Sequence, residues 1–283
     1  ANRFPDIITA VNIGNEIFVD WSAHRTEDMD SVIEYIRHVR ARISQPVTVS
    51  DDYNFWNKEH ARQIADEVDF IGLHAYAFWN NQTLDQAMTW TETIYRDIQK
   101  RYPEHVVTYN ETGWPTSRVY NTTSYEGKLI GKAGENEQKI FFDQYMAWVD
   151  RDRVISFYFE AFDENWKGGP HPAEVEKHWG LFFVDRSPKL ANTCFGASAK
   201  PALYSATAQP SPPNGLCSSA VTMSVFSANT VSSVSSSKGF TVCMSTTRAE
   251  IPLAWRMSAA PTASPRSDPV DMKATSLPVR YSM

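Results

Sequence analysis

The sequence predicts an α/β fold, a partial TIM (β/α)8 barrel followed by a disordered tail, and three observations carry that reading. Five short apolar runs alternate with amphipathic helical patterns between residue 7 and about residue 190, as expected of buried parallel strands joined by helices. The loops after these runs carry Glu16, Asp51, His74, Glu111 and Glu160, all at strand carboxyl ends, where open α/β sheets and barrels alike place their sites. No Gly-rich phosphate loop follows any run, which makes a nucleotide-binding open sheet the weaker of the two architectures. Five strands do not close a barrel of eight and nothing precedes Ala1, so the chain reads as the back half of a barrel.

In order, residues 7–13 form the first strand and run into Gly14-Asn15-Glu16. Met29, Val32, Ile33, Ile36, Val39 and Ile43 then follow helical spacing with charges on the other face, until Pro46 stops the pattern. Residues 47–50 are the second strand, the charged segment 58–67 reads as helix, and residues 68–73 are the third strand. Leu84, Ala87, Met88, Ile94, Tyr95 and Ile98 give a helix that ends near Pro103. The fourth strand, 105–109, delivers Glu111, and Gly113-Trp114-Pro115 continues neither strand nor helix smoothly. Residues 135–150 form a helix with Ile140, Phe141, Tyr145, Trp148 and Val149 as its apolar face, and 154–159 is the fifth strand. Residues 1–200 are therefore one domain. Residues 201–283 are a Ser/Thr/Pro/Ala-rich tail, read as disordered because it has too few large side chains to bury.

Composition narrows the partners. A net charge of −6 with no basic block argues against nucleic acid and anionic membranes, and no apolar run approaches the ~20 residues that span a bilayer. Nine Trp among 283 residues supply either core packing or rings on which the apolar faces of sugars stack. The three Cys, all in the last third, allow at most one intramolecular disulfide and fit no common zinc spacing. The start of the chain has no signal-peptide pattern, so the protein is either cytosolic or its beginning is missing. Of three sequons, Asn81 and Asn121 lie in polar loops open to glycans in a secreted protein, whereas Asn110 sits beside the strand end and is too enclosed.

Glu16 and Glu111 end strands that lie three βα repeats of roughly 30 residues apart, which places them across a barrel mouth from one another. Each is either an ordinary loop-end charge or half of one site. Hydrolysis of a glycosidic bond needs two such carboxyls, one to protonate the leaving oxygen and one to attack the anomeric carbon or activate water. Asn15 offers an amide for a sugar hydroxyl, or else serves the turn after Gly14.

The segments Asn12-Ile13-Gly14-Asn15-Glu16 and Asn110-Glu111-Thr112-Gly113-Trp114-Pro115-Thr116 resemble the two signatures of glycoside hydrolase family 17, in phrasing closer to its fungal members. Residues 159–167 and 176–182 are similar to the family's last barrel strand and the Gly-Leu-Phe segment behind it, and the resemblance covers roughly residues 5–190. It implies a retaining β-1,3-glucanase or β-1,3-glucanosyltransferase, with Glu16 as general acid/base at strand four, Glu111 as nucleophile at strand seven, and strands one to three absent. It implies substrate-binding roles for Glu164 and Lys167 and, by position, Glu176. Tyr76 either donates a hydrogen bond to the nucleophile or is a core aromatic. Trp114, Trp166 and Trp179 are either stacking platforms for glucose units or packing. His171, Glu174 and His178 are a weaker metal reading, because the family mechanism needs no metal and no cofactor. The expectations are a monomer acting on β-1,3-glucan, secreted or in the cell wall. The alternatives are an inactive glucan-binding fragment and, more remotely, an unrelated α/β enzyme.

Overall fold

The computed structural model of the protein describes residues 1–192 and 241–244. Its frame is one curled sheet in the order β5-β4-β3-β2-β1-β6. Strands β1 (Ile8–Asn15), β2 (Val47–Asp52), β3 (Phe70–His74), β4 (Val106–Thr112) and β5 (Ser156–Tyr158) are parallel neighbours in chain order. Five consecutive parallel strands linked by helices are a sector of a (β/α)8 barrel. The short strand β6 (Thr241–Met244) pairs antiparallel with β1. The predicted disordered tail falls outside the described residues except at these four. An open sheet edge presents unpaired N–H and C=O groups, and the backbone of these four residues meets them there.

Helices α1 (Met29–Arg40), α4 (Leu84–Arg101) and α5 (Glu135–Asp152) are the long crossovers. Asp28 starts α1 by accepting from the Ser31 N–H, an N-cap worth about 1 kcal/mol. The α4 entry is a capping box in which the Thr83 N–H donates to Gln86 Oε1. Their inward stripes, Val32 and Ile36 on α1, then Ala87, Tyr95 and Ile98 on α4, and Phe141, Tyr145 and Trp148 on α5, bury against the strands. Arg153 closes α5 in the left-handed conformation (φ 56) and turns the chain into β5. The helix predicted over 58–67 forms over residues 59–65, its first turn 3-10 (Glu59–Ala61) and the rest α3 (Arg62–Ala65), and a short α2 (Tyr53–Trp56) precedes it. Asp52, the last residue of β2, also caps α2. The Trp56 indole lies in the core with Nε1 on the Gly72 carbonyl at 2.9 Å.

Inside the curl, below the strand ends, lies a small polar belt. Asn12 Oδ1 accepts from the Ser50 N–H at 2.9 Å, Asn110 Nδ2 donates to Ser50 Oγ at 2.6 Å, and Thr108 Oγ1 donates to Asn110 Oδ1 at 2.6 Å. The belt joins β1, β2 and β4 across β3, which passes at Gly72. Beyond β5, fully buried Lys189 donates from Nζ to Asp163 Oδ1 and Thr116 Oγ1, both at 2.6 Å, and the same Asp163 oxygen accepts from the Gly180 N–H. The Leu190 N–H bonds Glu135 Oε2 at 2.9 Å, so the last described segment is tied to the carboxyl ends of β4 and β5 and to the start of α5.

A Cβ at Gly72 would stand 2.6 Å from both Asn110 Nδ2 and Ser50 Oγ and 2.9 Å from the Val49 carbonyl oxygen. Gly72→Ala is expected to lower stability by about 2–3 kcal/mol, as overpacking of a close-packed interior does. Urea unfolding with a midpoint within experimental error of the parent would contradict this account of the belt.

Candidate active site

Because the strands are parallel and in register, their carboxyl ends deliver side chains to one edge. Asp52 pairs across to His74, and His74 to Glu111. Glu16 follows β1 in the left-handed region (φ 49), uncommon for a residue with a Cβ, and its N–H donates to the Ser50 carbonyl at 2.9 Å. The Glu16 carboxylate meets His74 Nδ1 at 3.1 Å through Oε1. The same Nδ1 is 3.5 Å from Glu111 Oε2. Tyr76 donates its hydroxyl to Glu111 Oε2 at 2.8 Å, the contact for which the sequence left two readings open. The Glu111 side chain is 8 % exposed and the Glu16 side chain 24 %, so one carboxylate is clamped at the floor and the other is reachable from solvent.

These groups floor a cleft of about 980 Å³. On its far side Lys167 Nζ lies 2.6 Å from Glu160 Oε2 and 2.8 Å from Glu164 Oε2, and Glu176 faces the same space. Two buried polar atoms on cleft residues, Asn15 Oδ1 and Trp179 Nε1, have no hydrogen-bond partner among the described residues. Trp179, almost fully buried, packs edge-on against Tyr76 with centroids 5.0 Å apart. Trp166 stands 69 % exposed on the rim. The structure thus gathers Asn15, Glu16, Tyr76, Glu111, Glu164, Trp166, Lys167, Glu176 and Trp179 around one cleft. Trp114 is corrected: it is fully buried between Phe78 and Phe141, its Nε1 bonds the Lys132 carbonyl at 3.0 Å, and it presents no face to a ligand. Pro115 turns the chain immediately after it, so its ring points into the helix layer.

Sequence reasoning did not assign His74, Asp52, Trp21, Trp79 or Tyr125 to the site, yet all except His74 line the cleft, and His74 beneath it hydrogen-bonds Glu16 and stands 3.5 Å from Glu111. His74 and the Asp51-Asp52 pair carried a signal, their place at strand ends. Trp79 and Tyr125 carried none, since they meet through separate loops, ring on ring at 6.2 Å, with the Tyr125 hydroxyl on the Trp79 carbonyl. The predicted metal reading is not assembled: His178 Nε2 is 2.7 Å from the Pro172 carbonyl oxygen while its Nδ1 faces Asp163. Among the described residues, Glu16, His74 and Glu111 are the only three His, Cys, Asp or Glu side chains whose donor atoms lie within 4.8 Å of one another.

Burial sets the titration of the site. It pushes Asp51 up to about 7, Asp52 to about 6, Glu176 to about 7 and Glu160 to about 8, the last against the pull of Lys167. Burial opposes charge on His74, but Glu111, Glu16 and Asp51 outweigh it and raise the imidazole to about 9. Burial also works to raise Glu16, but the His74 hydrogen bond and charge, helped by Trp21, hold it below the usual glutamate range. Glu111 is held above that range, by burial first and by the Glu16 charge, against His74 and Tyr76.

Comparison with known proteins adds an independent line. Residues 1–180 match the family model of the BtgE/BtgC glycoside hydrolase domain. A glucan 1,3-beta-glucosidase of Arthroderma benhamiae is 29% identical over 208 residues, covering 67% of this chain and 62% of the relative. One of Schizosaccharomyces pombe is 27% identical, covering 67% and 59%. The chain therefore spans about three fifths of the length of these relatives. Among solved structures, an endo-laminarinase from Formosa Hel1_33_131 superposes with a TM-score of 0.56 at 24% identity, over 67% of this chain and 58% of that one. An active-site mutant of Rhizomucor miehei beta-1,3-glucanosyltransferase, in complex with laminaritriose, superposes with 0.53 at 23%, over 64% and 62%. These likenesses show the fold.

Asp51, Asp52, Glu111, Glu160, Glu176 and His74 all bind their proton more tightly folded than unfolded. Their contribution to stability is complete below the ordinary value of each group and is lost as pH rises through the folded one. Glu16 acts in the opposite sense, but only below the ordinary glutamate value. The melting temperature is therefore expected to fall steadily from about pH 5 towards about pH 9. Thermal melts that stay flat or rise over that range would refute this electrostatic picture.

Proposed function

The chain belongs to the BtgE/BtgC glycoside hydrolase domain family, and from that premise and the cleft we propose that it is a retaining β-1,3-glucan-active glycosidase. The observation that carries the reading is the spacing of the two carboxylates, which bring an oxygen of each within 4.8 Å. Retaining enzymes hold the pair at about 5–5.5 Å so that one attacks directly, whereas inverting enzymes keep about 6.5–9.5 Å for an intervening water.

Exposure assigns the roles. Glu111, fixed by Tyr76 at the floor, attacks the anomeric carbon while Glu16, on the solvent side, protonates the departing oxygen. Glu16 then deprotonates the acceptor that releases the glycosyl enzyme. Water as acceptor gives hydrolysis and another glucan hydroxyl gives transfer. Asn15 Oδ1 and Trp179 Nε1, buried and unpaired, suit the hydroxyls of a bound sugar. Glu164, Lys167 and Glu176 line the opposite wall as further polar contacts, and Trp166 offers a rim ring for stacking. What supports the substrate is the likeness to the two glucan 1,3-beta-glucosidases.

On this reading the protein works as a monomer outside the cell or in its wall, where a polymeric glucan is found. Asn81 and Asn121 are both exposed and both have positive φ, so a glycan at either sequon meets solvent. Asn110, by contrast, is buried with its amide on Ser50. Among the described residues no helix is long and apolar enough to cross a membrane.

The test is to incubate the purified chain with laminari-oligosaccharides and follow products by mass and by the anomeric proton signal. Shorter products mark hydrolysis, longer ones transfer, and the first-formed product is expected to keep the β configuration. Glu111→Gln should reduce turnover at least ~1,000-fold. No product from the parent, or equal rates for parent and variant, sinks the enzyme reading and leaves the inactive glucan-binding fragment.

A further inference from the structure

Two loops wall the cleft beside the carboxylate pair, residues 117–131 after β4 and residues 167–178 beyond β5. Tyr125 lines the cleft from the first, and Lys167 and Glu176 line it from the second. Each loop is closed on itself by a buried cation. Arg118 Nη1 donates to the Leu129 and Gly131 carbonyls at 2.6 and 2.9 Å, and Lys177 Nζ donates to the Gly169 carbonyl at 2.7 Å and to that of Lys167. Inward-facing loop carbonyls need donors, so each clamp makes its loop a unit.

The two units meet at their base, where the Thr116 N–H bonds the His178 carbonyl at 2.9 Å and Ser117 Oγ the Ala173 carbonyl at 3.3 Å. Beyond that base, buried Glu126 crosses between them. Its Oε1 accepts from the Val119 N–H of its own loop at 2.5 Å and from the Val175 N–H of the other at 3.3 Å. Glu126 follows Tyr125 in sequence and Val175 precedes Glu176, so this contact sets the spacing of two cleft residues. The Tyr125 hydroxyl on the Trp79 carbonyl at 2.8 Å braces the same tip from the β3 side.

Building on the glycosidase reading, we propose that Glu126 is a positioning residue that bolts the two loops into a single wall and holds Tyr125 and Glu176 at a fixed separation before sugar arrives. Glu126 itself does not line the cleft. A wall set in advance loses little conformational freedom on binding, so its effect falls on substrate affinity and not on bond cleavage.

The acceptor and the bulk of the side chain are separable. Glu126→Gln keeps an accepting oxygen, whereas Glu126→Leu fills the space and leaves two buried N–H groups unpaired. Amide hydrogen exchange without sugar is the test. In Glu126→Leu, residues 119–128 and 172–177 are expected to exchange at least ~10-fold faster together, and in Glu126→Gln to stay near the parent. In turnover, KM for laminari-oligosaccharides should rise about fivefold in Glu126→Leu with kcat within about twofold, and Glu126→Gln should restore it.

Faster exchange confined to residues 119–128 overturns the proposal, and so does an unmoved KM beside exchange that quickens in both loops. The exchange is readable in a protein that turns over no substrate, so failure of the glycosidase reading is a separate outcome. Should Glu126→Leu unfold, the parent decides: in dilute denaturant the two segments open with one shared free energy if they are bolted, and with separate ones if they are not.

Discussion

The site depends on the level at which parallel strands end. In a parallel sheet, residues in register stand side by side, so Asp52, His74 and Glu111 form a row because their backbones are paired, before any attraction between their side chains acts. The polar belt beneath holds that register. Asn12, Ser50, Thr108 and Asn110 bond to one another where β3 has only Gly72, and a slip by one residue would send the whole row to the opposite face. The hydrogen bonds of the belt are short and buried, and they hold the carboxylate row to one geometry.

Given that row, burial and charge act against each other. Desolvation favours the neutral acids, and Asp51, Asp52, Glu111, Glu160 and Glu176 all feel it. Among the described residues His74, beneath the carboxylate pair, and Lys167, on the far wall, are the cations that answer. The site is therefore polarised into a His74 half containing the carboxylate pair and a Lys167 half containing Glu160 and Glu164. The gap between the halves is where a ligand carrying many hydroxyls meets acceptors on one side and a charged donor on the other.

Much of this was legible in the chain. Periodicity located the five parallel strands and the three long helices to within a few residues, because buried strands and amphipathic helices are written in local spacing. The Glu16 and Glu111 pair was legible because both end strands before residues that stop them. What was not legible depends on contacts distant in sequence. Trp114, Trp179 and Trp166 look alike as letters, yet they are 0 %, 1 % and 69 % exposed, a distinction set by which helix or loop packs over each ring. The 58–67 segment has helical composition and is helical over 59–65, but the short α2 before it and the 3-10 form of its first turn are not written in that composition. His74 reads as one strand-end residue among several until the register shows that it lies between the two acids.

The clasp around Lys189 has a mechanical meaning. With its ammonium buried on Asp163 and Thr116, and the Leu190 amide on Glu135, residues 189–192 form a fixed post beside the ends of β4 and β5. A pull applied at this post is borne by a buried ammonium–carboxylate pair before it reaches the strands, so the carboxylates at their ends are insulated from strain on this side of the domain.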